Sequence, residues 1–379
     1  MPTLPADQLA ESDRIHFMDS LRAFLMMLGV VLHSAQVFNP AREWAISSPE
    51  VSVFAGYLVN AITTFRMPAF FMVSGFFCVW SLNRYAPKLF LRLRLRQVMV
   101  PFVVTALTLN SIQTALIVSS SNNHSGGFQL ASYLLEGEYV SHLWFLFNLM
   151  IYFSVAGLLA YWLRKPVARI SSRINHGFDI SPVWVVLAIL PVLNIGILVL
   201  NQLGFPLYSN LLGIWNTQNI IGYAPYFLFG AILGSSQRNL LRYAQFSVPL
   251  CAIGLLFGIL GSQTVSFDGG LIQKTLHVYC ETLTVWCASA LCFQLFYRFA
   301  NTPSRLSRFV SEASYTVYLF HHGLVVAIGL FLIQFELPIF VQLVVLITSV
   351  LIITCAIHKY FINRYQILTL LFNGKLAKA

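Results

Sequence analysis

The stretch MDSLRAFLMMLGVVLH, residues 18–33, decides the fold, because it is an apolar run that carries the ionisable side chains of Arg22 and His33. The segment between them, AFLMMLGVVL, includes no polar side chain. Continued to residue 38, the run is long enough for a membrane-spanning helix. At about 100° per residue, the spacing gives three full turns plus about 20°, so both side chains project from one helix face, about 16 Å apart. Ionisable residues inside a spanning helix indicate a functional site by default.

The composition extends the membrane class to the whole chain. Of the 379 residues, 58% are hydrophobic and 9% are charged, whereas a soluble domain carries about 25% charged residues. The formal net charge of +10 does not indicate nucleic-acid binding, because the basic residues lie in short loops between apolar runs. The six cysteines show no CxxC spacing, so neither disulfides nor zinc are expected. The beginning of the chain lacks the pattern of a cleaved signal peptide.

We predict an all-α, polytopic membrane bundle, a single domain over residues 1–379 with about ten spanning helices. The predicted spans are 17–38, 52–81, 98–119, 141–163, 182–201, 218–235, 246–262, 273–299, 313–334 and 338–361. Basic residues concentrate in the C-terminal tail and in alternate loops, namely 82–97, 164–181, 236–245 and 298–312. The positive-inside rule therefore places both ends in the cytoplasm, as tails 1–16 and 362–379. Loop 120–140, on the other side, is predicted to be a flexible surface loop able to touch a polar acceptor.

Helix 1 supplies two candidate residues. His33 lies in its outer half, and a neutral imidazole, with an ordinary pKa of about 6.5, can take a proton from a hydroxyl. The alternative is a packing histidine that bonds to a neighbouring helix. Arg22 lies near the cytoplasmic end, three residues after Asp19. It is either an interfacial arginine paired with that carboxylate or an anchor for a phosphate or carboxylate.

Arg66, in TTFRMPAFFMVSGFF of helix 2, is predicted to lie below the middle of the bilayer, too deep to reach the interface easily. Pro68 removes a backbone donor and frees the carbonyl of Thr64, and Gly75 permits close helix packing. An arginine beside such an interruption predicts a polar cavity.

Two further pairs carry open alternatives. His142 and Trp144, in SHLWFL at the outer start of helix 4, are either residues of the aromatic belt or contacts for an acceptor at the outer mouth. Glu281, in helix 8, shares a helix face with His277 four residues earlier. That pair is either a buried structural contact or a catalytic carboxylate that orients an imidazole or contacts acceptor hydroxyls.

His321 and His322 lie side by side near the middle of helix 9. Adjacent helical positions point about 100° apart, so at most one of them is expected to face a given cavity. Both are candidates for contact with the substrate.

The arginines of RLRLRQ, which are Arg92, Arg94 and Arg96, could bind a polyphosphate donor such as coenzyme A, although the positive-inside rule also explains them. No HExxH, GxSxG, Walker A or dinucleotide glycine motif occurs in a usable context, and metal ligation is not indicated. Histidines, arginines and one glutamate dispersed over several helices suit acyl transfer from a coenzyme thioester better than metal-dependent hydrolysis.

These features resemble the membrane-bound acyltransferase-3 family. The resemblance covers nearly the whole chain and is carried by the Arg22-x10-His33 spacing, the phrases FRMPAFFMVSGFF, SHLWFLFNL, YCETLTVW and SYTVYLFHHGL, and the basic segment before Pro101. In that family the arginine and histidine of helix 1 are the key pair. The family also tends to show an R-x-x-R pair before helix 3, where this chain has Arg94 and Gln97. Gln97 cannot supply the second charge, so Arg96 is the substitute or the contact is weaker.

The resemblance implies an enzyme of the bacterial inner membrane, most similar to the members that succinylate osmoregulated periplasmic glucans. An acyl-CoA donor, succinyl-CoA by this resemblance, enters from the cytoplasm, and no cofactor is bound permanently. His33 acts as general base on a glucan hydroxyl, Arg22 or Arg66 binds the donor carboxylate or polarises the thioester, and His142 and Glu281 orient the sugar. The partners implied are the glucan acceptor, the lipid bilayer and other glucan-biosynthesis proteins.

Two alternatives stay open from the sequence. The first is an O-acetyltransferase that acts on another surface polysaccharide. The second is an exporter of glucan or anions without covalent chemistry, because ten helices, a proline in helix 2 and buried ionisable groups are also found in transporters.

Overall fold

The computed structural model describes residues 15–41, 44–120, 133, 135, 137–206, 209–211 and 213–375. The helices there are α1 His16–Gln36, α2 Val53–Leu82, α3 Pro87–Leu107, α4 Leu109–Ser120, α5 Trp144–Trp162, α6 Arg164–Ile180, α7 Val183–Gln202, α8 Thr217–Ser235, α9 Gln237–Ala244, α10 Val248–Thr264, α11 Leu271–Phe299, α12 Arg305–Leu332, α13 Ile339–Ile357 and α14 Gln366–Asn373. A 3₁₀ turn, Ser141–Leu143, precedes α5, and a π turn, His358–Ile362, follows α13. Strands β1 Asn210–Leu211 and β2 Trp215–Asn216 form a short antiparallel pair.

The predicted all-α membrane class is confirmed. In the described part of the chain, 8 spans are long and apolar enough to cross a membrane, with α3 and α4 forming one of them. A ninth results if α9 and α10, bent by 71° where they meet, count as one. The predicted segment 218–235 is helical, as α8, but it is not among these 8 spans, and its first turn, Thr217–Asn219, is polar. The protein is therefore a multi-pass membrane protein, and the side on which its ends lie stays a prediction.

Several predictions of loops need correction. The predicted loops 164–181 and 236–245 are largely the helices α6 and α9, and helix α3 begins within the predicted loop 82–97, at Pro87. Proline suits a first helical turn, because it lacks the amide hydrogen that would be left unpaired there. In α6 the basic residues recur at helical spacing, a pattern that counting loop charges does not detect. Residues 1–14 of the predicted N-terminal tail, most of loop 120–140 and residues 376–379 of the C-terminal tail lie outside the described residues.

Helix α1 lies at the centre of the bundle and packs against α2, α11, α12 and α13. Its first half joins a large apolar core through Leu21 and Leu25, and its second half joins a smaller one through Val30 and Ala35. Because lipid is as apolar as these side chains, close packing rather than water exclusion holds the helices together. The central position of α1 brings its ionisable residues between several other helices.

Helices α2 and α8 cross at glycines. A Cβ atom added at Gly75 would overlap the backbone of Phe227, and one added at Gly230 would overlap the backbone of Met72. Small residues at such crossings let two backbones approach closely. The close packing predicted at Gly75 is confirmed, and it fixes α2, which also carries Arg66, against the rest of the bundle.

Candidate active site

Four histidines from three parts of the chain meet in one place, which we call the histidine cluster. His33 comes from α1, His142 from the 3₁₀ turn before α5, and His321 and His322 from α12. The ring centroid of His33 lies 4.7 Å from that of His322 and 5.3 Å from that of His321. The His142 ring stacks on His322 at 4.8 Å and lies 5.3 Å from His321. The predicted base and three of the predicted substrate contacts are therefore neighbours.

His321 and His322 both face this cluster, so the expectation that at most one would do so does not hold. Their ring planes are 85° apart, and each approaches His33 from a different side. The expectation assumed a cavity on one side of α12. The cluster instead lies between α1, α12 and the 3₁₀ turn, so rings that point in different directions from α12 can both contact it. Both rings are buried, with 0% and 5% of their surface exposed.

Hydrogen bonds at Nδ1 determine the tautomer of the neutral ring in both α12 histidines. His321 Nδ1 lies 2.7 Å from the carbonyl oxygen of Tyr318 and 3.1 Å from that of Val317. A carbonyl oxygen only accepts, so Nδ1 carries the hydrogen and Nε2 of the neutral ring keeps its lone pair. His322 Nδ1 donates in the same way to the side-chain oxygen of Gln113 at 2.7 Å. In each neutral ring, Nε2 is thus the proton acceptor.

Several nitrogens of the cluster are buried and have no hydrogen-bond partner among the described residues. They are Nδ1 of His33, both ring nitrogens of His142 and Nε2 of His321. A buried polar atom without a partner costs about 1–3 kcal/mol. Such a concentration of unpaired nitrogens around one point is typical of a site that binds a polar substrate.

Aromatic and polar residues that the sequence analysis did not single out complete the cluster. Trp44, in the segment after α1, stacks on His33 with ring centroids 5.3 Å apart. Tyr318 donates a hydrogen bond to the carbonyl oxygen of His142 at 2.8 Å, and Gln113 of α4 orients His322. Tyr318 precedes His321 by one helical turn, and that spacing could have indicated it. Trp44 and Gln113 carry no local signal that connects them to these histidines.

Arg66 is buried beside the cluster, with 7% of its surface exposed. Its Nε donates to the backbone carbonyl of Leu25 at 2.9 Å. Gly29 makes room for this contact, because a Cβ atom there would lie 2.5 Å from Arg66 Nη2 and 3.2 Å from His321 Nε2. The surroundings of Arg66 include the Leu25 carbonyl and the edge of the histidine cluster. Helix α2 remains one helix through Pro68, so the interruption assumed from the sequence is not present, and the polar cavity beside Arg66 stays a prediction.

A cavity of about 540 Å³ opens on the face of the molecule that carries the basic segments, and we call it the basic-face cavity. Its buried lining is mostly apolar and includes Met26, Phe70 and Phe145. Its polar lining includes Arg22 and Arg94. Volumes of about 300–1,000 Å³ are usual for small-molecule sites. A ligand with a polar end and a slender, less polar arm fits a cavity with these polar and apolar walls.

The two arginines of the cavity are held by different partners. Arg22 Nη2 donates to Ser311 Oγ at 3.0 Å and lies 3.3 Å from Asp19 Oδ1. The predicted pair with Asp19 is thus present, and Arg22 nevertheless lines the cavity. Arg94 donates to Ser81 Oγ and lies 3.4 Å from Gln97 Oε1. Gln97, which stands where the resemblance expects an arginine, also lines the cavity.

The other two arginines predicted to bind the donor lie elsewhere. Arg92 is exposed, and Arg96 donates from Nε to the carbonyl oxygen of Gly374 at 3.0 Å. On helix α3, Arg94 points away from its even-numbered neighbours, because positions two apart are about 200° apart around the axis. Of the three, Arg94 has a position in the cavity wall, and binding of the donor by Arg92 and Arg96 stays a prediction.

One face of α1 connects the cavity with the cluster. Arg22 and Met26 line the cavity, Gly29 touches Arg66 and His321, and His33 belongs to the cluster. These positions recur every three or four residues, as one helix face requires. The prediction that Arg22 and His33 share a face is thus consistent with the structure. At the inner end of the cavity, the Phe145 ring packs 6.0 Å from that of Tyr318, a neighbour of His142.

Glu281 and Trp144 are not brought into the cluster. The Glu281 side chain is 57% exposed and pairs with His277 at 3.3 Å, so the pair is not the buried contact considered from the sequence. Its predicted catalytic role has no support from this position, because α11 turns residue 281 toward the outside of the bundle. Trp144 is half-buried, and its ring stacks on that of Tyr223 with centroids 5.5 Å apart.

Among the described residues, no group of three or more His, Cys, Asp or Glu side chains is arranged to hold a metal ion. The four rings of the cluster instead pack against one another by stacking and by edge contacts. Neutral imidazoles in such an arrangement can accept or pass on a proton and can bond to hydroxyls. The arrangement is therefore suited to acid–base chemistry on a hydroxyl.

Comparison with known proteins agrees with this chemistry. The family model described as an acyltransferase domain, acyltransferase-3, matches residues 15–359, so the chain belongs to the acyltransferase-3 family. Similar curated proteins include glucans biosynthesis protein C of Escherichia coli O139:H28 (strain E24377A / ETEC) and of Shigella dysenteriae serotype 1 (strain Sd197). Each is 26% identical over 380 residues, which cover 96% of this chain and 95% of the relative. No solved structure matches the chain.

Proposed function

We propose that this protein transfers succinyl groups from succinyl-CoA to hydroxyls of a periplasmic glucan in the bacterial inner membrane, with His33 as general base. The observation that carries the proposal is the single face of α1 with Arg22 in the basic-face cavity and His33 in the histidine cluster. Membership of the acyltransferase family supports the reaction class. The name of the relatives supports a glucan acceptor.

The basic-face cavity is the proposed donor site, which binds acyl-CoA as a substrate. Its polar wall, with Arg94, suits the phosphates, and its buried apolar wall suits the pantetheine arm. The arm would run along α1 from Arg22 toward Gly29. Arg66 lies next to Gly29, where a guanidinium can bind the succinyl carboxylate or polarise the thioester carbonyl.

The histidine cluster is the proposed acceptor site, entered from the opposite face. Both ring nitrogens of His142 are buried and have no hydrogen-bond partner within the described part of the chain, so they suit bonds to sugar hydroxyls. Trp44, stacked on His33, offers the flat apolar face that a sugar ring packs against. His321 and His322 accept at Nε2, and they can hold a second hydroxyl or pass the proton on. Trp144, which stacks on Tyr223, would contact a part of the glucan outside the histidine cluster.

The proposed reaction is a single acyl transfer. The glucan oxygen forms a bond to the thioester carbonyl carbon while its proton moves to the imidazole of His33. The carbon–sulfur bond then breaks, and the proton passes to the leaving thiolate to give coenzyme A and the glucan ester. The buried guanidinium of Arg66 favours the negative charge that develops on the carbonyl oxygen.

The test is mass spectrometry of periplasmic glucans from a strain that lacks its own copy and carries either the wild type or His33→Ala. We expect succinylated glucan with the wild type and a rate lower by about 10²–10⁴-fold in the variant, the usual effect of losing a general base. His176→Ala, at an exposed position of α6, is the matched control. Membrane levels of all three proteins should be equal.

The other outcomes separate the alternatives. Equal succinylation in wild type and His33→Ala would move the base to His321 or His322. No succinyl increment with the wild type would contradict the proposal and favour acetyl transfer to another surface polysaccharide. Glucan that reaches the periplasm only when the protein is present, without added mass, would favour export.

A further inference from the structure

The chain beyond the acyltransferase domain forms part of the wall of the basic-face cavity. The family model ends at residue 359, within the π turn. The segment that follows, residues 363–375, contains α14 and contributes Asn363, Thr369, Asn373 and Lys375 to the cavity lining. We call these residues the C-terminal wall. The part of the cavity that they form is therefore outside the matched domain.

The C-terminal wall is fixed to α3. The carbonyl oxygen of Gly374 accepts a hydrogen bond from Arg96 Nε at 3.0 Å. Gly374 has a φ of +60°, and a Cβ atom there would overlap the backbone of Arg96 and Gln97. A glycine is thus required both by the backbone conformation and by the close approach. Arg96 therefore holds the C-terminal segment against α3, a contact that no local sequence pattern indicates.

The same segment is also fixed to α12. His358 Nδ1 lies 2.9 Å from Thr316 Oγ1, and its Nε2 lies 3.0 Å from Asn363 Nδ2. Further along, the Phe372 ring packs on Phe320 at 4.9 Å. Bonds to two spanning helices hold the wall in place at the cavity mouth. Its polar groups are thus positioned before a ligand arrives, which lowers the entropy cost of binding.

The chemistry of the wall suits the head of a nucleotide thioester. Amides and a hydroxyl line one side, the exposed ammonium of Lys375 lies at the mouth, and Arg94 lines the cavity from α3. The whole lining carries three cations, of Arg22, Arg94 and Lys375, and two carboxylates, of Asp19 and Glu312. The Asp19 carboxylate is paired with Arg22. Arg94 and Lys375 then exceed the single carboxylate of Glu312 by one positive charge, which favours an anion.

We infer that the C-terminal wall binds the adenosine-phosphate end of the acyl-CoA donor and so selects the nucleotide thioester over simpler thioesters. The inference rests on the proposed donor. Lys375 contacts a phosphate, and the amides of Asn363 and Asn373 bond to the phosphates or to the adenine edge. The apolar depth of the cavity receives the pantetheine arm without a contribution from this wall.

The test measures dissociation constants of the purified full-length protein for coenzyme A and for pantetheine, which lacks the nucleotide. Lys375→Ala combined with Asn373→Ala should weaken binding of coenzyme A by about tenfold or more, as expected for the loss of a charge-assisted contact. Pantetheine binding should stay unchanged. Lys359→Ala, an exposed lysine that does not line the cavity, is the matched control.

Each other result has a distinct meaning. Unchanged coenzyme A binding in the double variant would overturn the inference and leave the proposed function intact. Equal weakening for both ligands would also overturn it, since the wall would then support the whole cavity. Lys375→Gln, a single change at an exposed position, repeats the comparison without altering Asn373. A wild-type protein that binds neither ligand would refute the donor itself.

Discussion

Gly29 is the residue at which helix packing and the proposed chemistry meet. It lies one turn before His33 on the same face of α1, and its missing side chain leaves space for Arg66 Nη2 and for His321 Nε2. The carbonyl of Leu25, which the helix pairs with the Gly29 amide, is also the acceptor for Arg66 Nε. Because Gly29 has no side chain, the guanidinium of Arg66 can reach the backbone of α1.

Gly29→Ala should displace Arg66 and lower acyl transfer while the protein still folds. The added methyl would lie 2.5 Å from Arg66 Nη2, and overpacking of this kind costs about 1–3 kcal/mol. Displacement of a catalytic group by about 1 Å can reduce a rate by about 10²-fold. The assay is succinyl incorporation into glucan by membranes with equal amounts of protein.

The matched control for this substitution is Gly196→Ala in α7, where a Cβ atom would meet nothing within 4 Å. It should leave activity unchanged and favour the helix slightly, because alanine has the higher helix propensity. Full activity of Gly29→Ala would show that Arg66 adapts and that its position is not critical for the reaction.

At the scale of helices, α3 shows that counting basic residues in a segment does not reveal where each side chain lies. The arginines of RLRLRQ were predicted to form one basic loop, but as helical positions they separate into different environments. Arg94 lines the cavity, Arg96 holds the C-terminal segment, and Arg92 is exposed. Helical geometry explains why the three arginines lie in different environments, because successive residues project about 100° apart.

The crossing of α2 and α8 should be the least tolerant helix contact in the bundle core. Gly230→Ala would place a methyl group against the backbone of Met72, which cannot move aside as a side-chain end can. We expect a clear fall in the midpoint of thermal unfolding in detergent, since overpacking costs about 1–3 kcal/mol or more.

Gly222→Ala, in the same helix α8, supplies the comparison. A Cβ atom at Gly222 would meet nothing within 4 Å, so the midpoint should not fall. Equal midpoints for Gly230→Ala and Gly222→Ala would mean that α2 and α8 can separate without cost.

At the scale of the whole molecule, the predicted orientation assigns the basic-face cavity to the cytoplasm and the histidine cluster to the periplasmic side. The assignment rests on the basic segments alone. The predicted orientation matters for the proposed reaction, in which the acyl-CoA donor comes from the cytoplasm and the glucan acceptor lies in the periplasm. A reaction between them requires polar access from both faces, meeting near Gly29 and Arg66.

Labelling of single cysteines in intact cells tests this orientation. Asp268→Cys, between α10 and α11, should react with a membrane-impermeant maleimide, whereas Asn301→Cys, between α11 and α12, should react only after cell lysis. Both positions are exposed, and of the native cysteines five are buried and Cys355 is partly buried, so background labelling should be low. The reverse labelling pattern would mean that the orientation is opposite to the predicted one and that the proposed donor site faces the periplasm.

Local patterns in the sequence were sufficient for the helical membrane class, for the single face shared by Arg22 and His33, and for the family resemblance. These properties depend on residues close together in the chain, where the helical period and the length of apolar runs determine the geometry. Tertiary structure alone decided that His142, His321 and His322 surround His33, and that Trp44 covers it. It also decided that Glu281 faces outward and that Lys375 reaches the cavity of Arg22. Those contacts join positions up to hundreds of residues apart, and they depend on how whole helices pack, which no local period encodes.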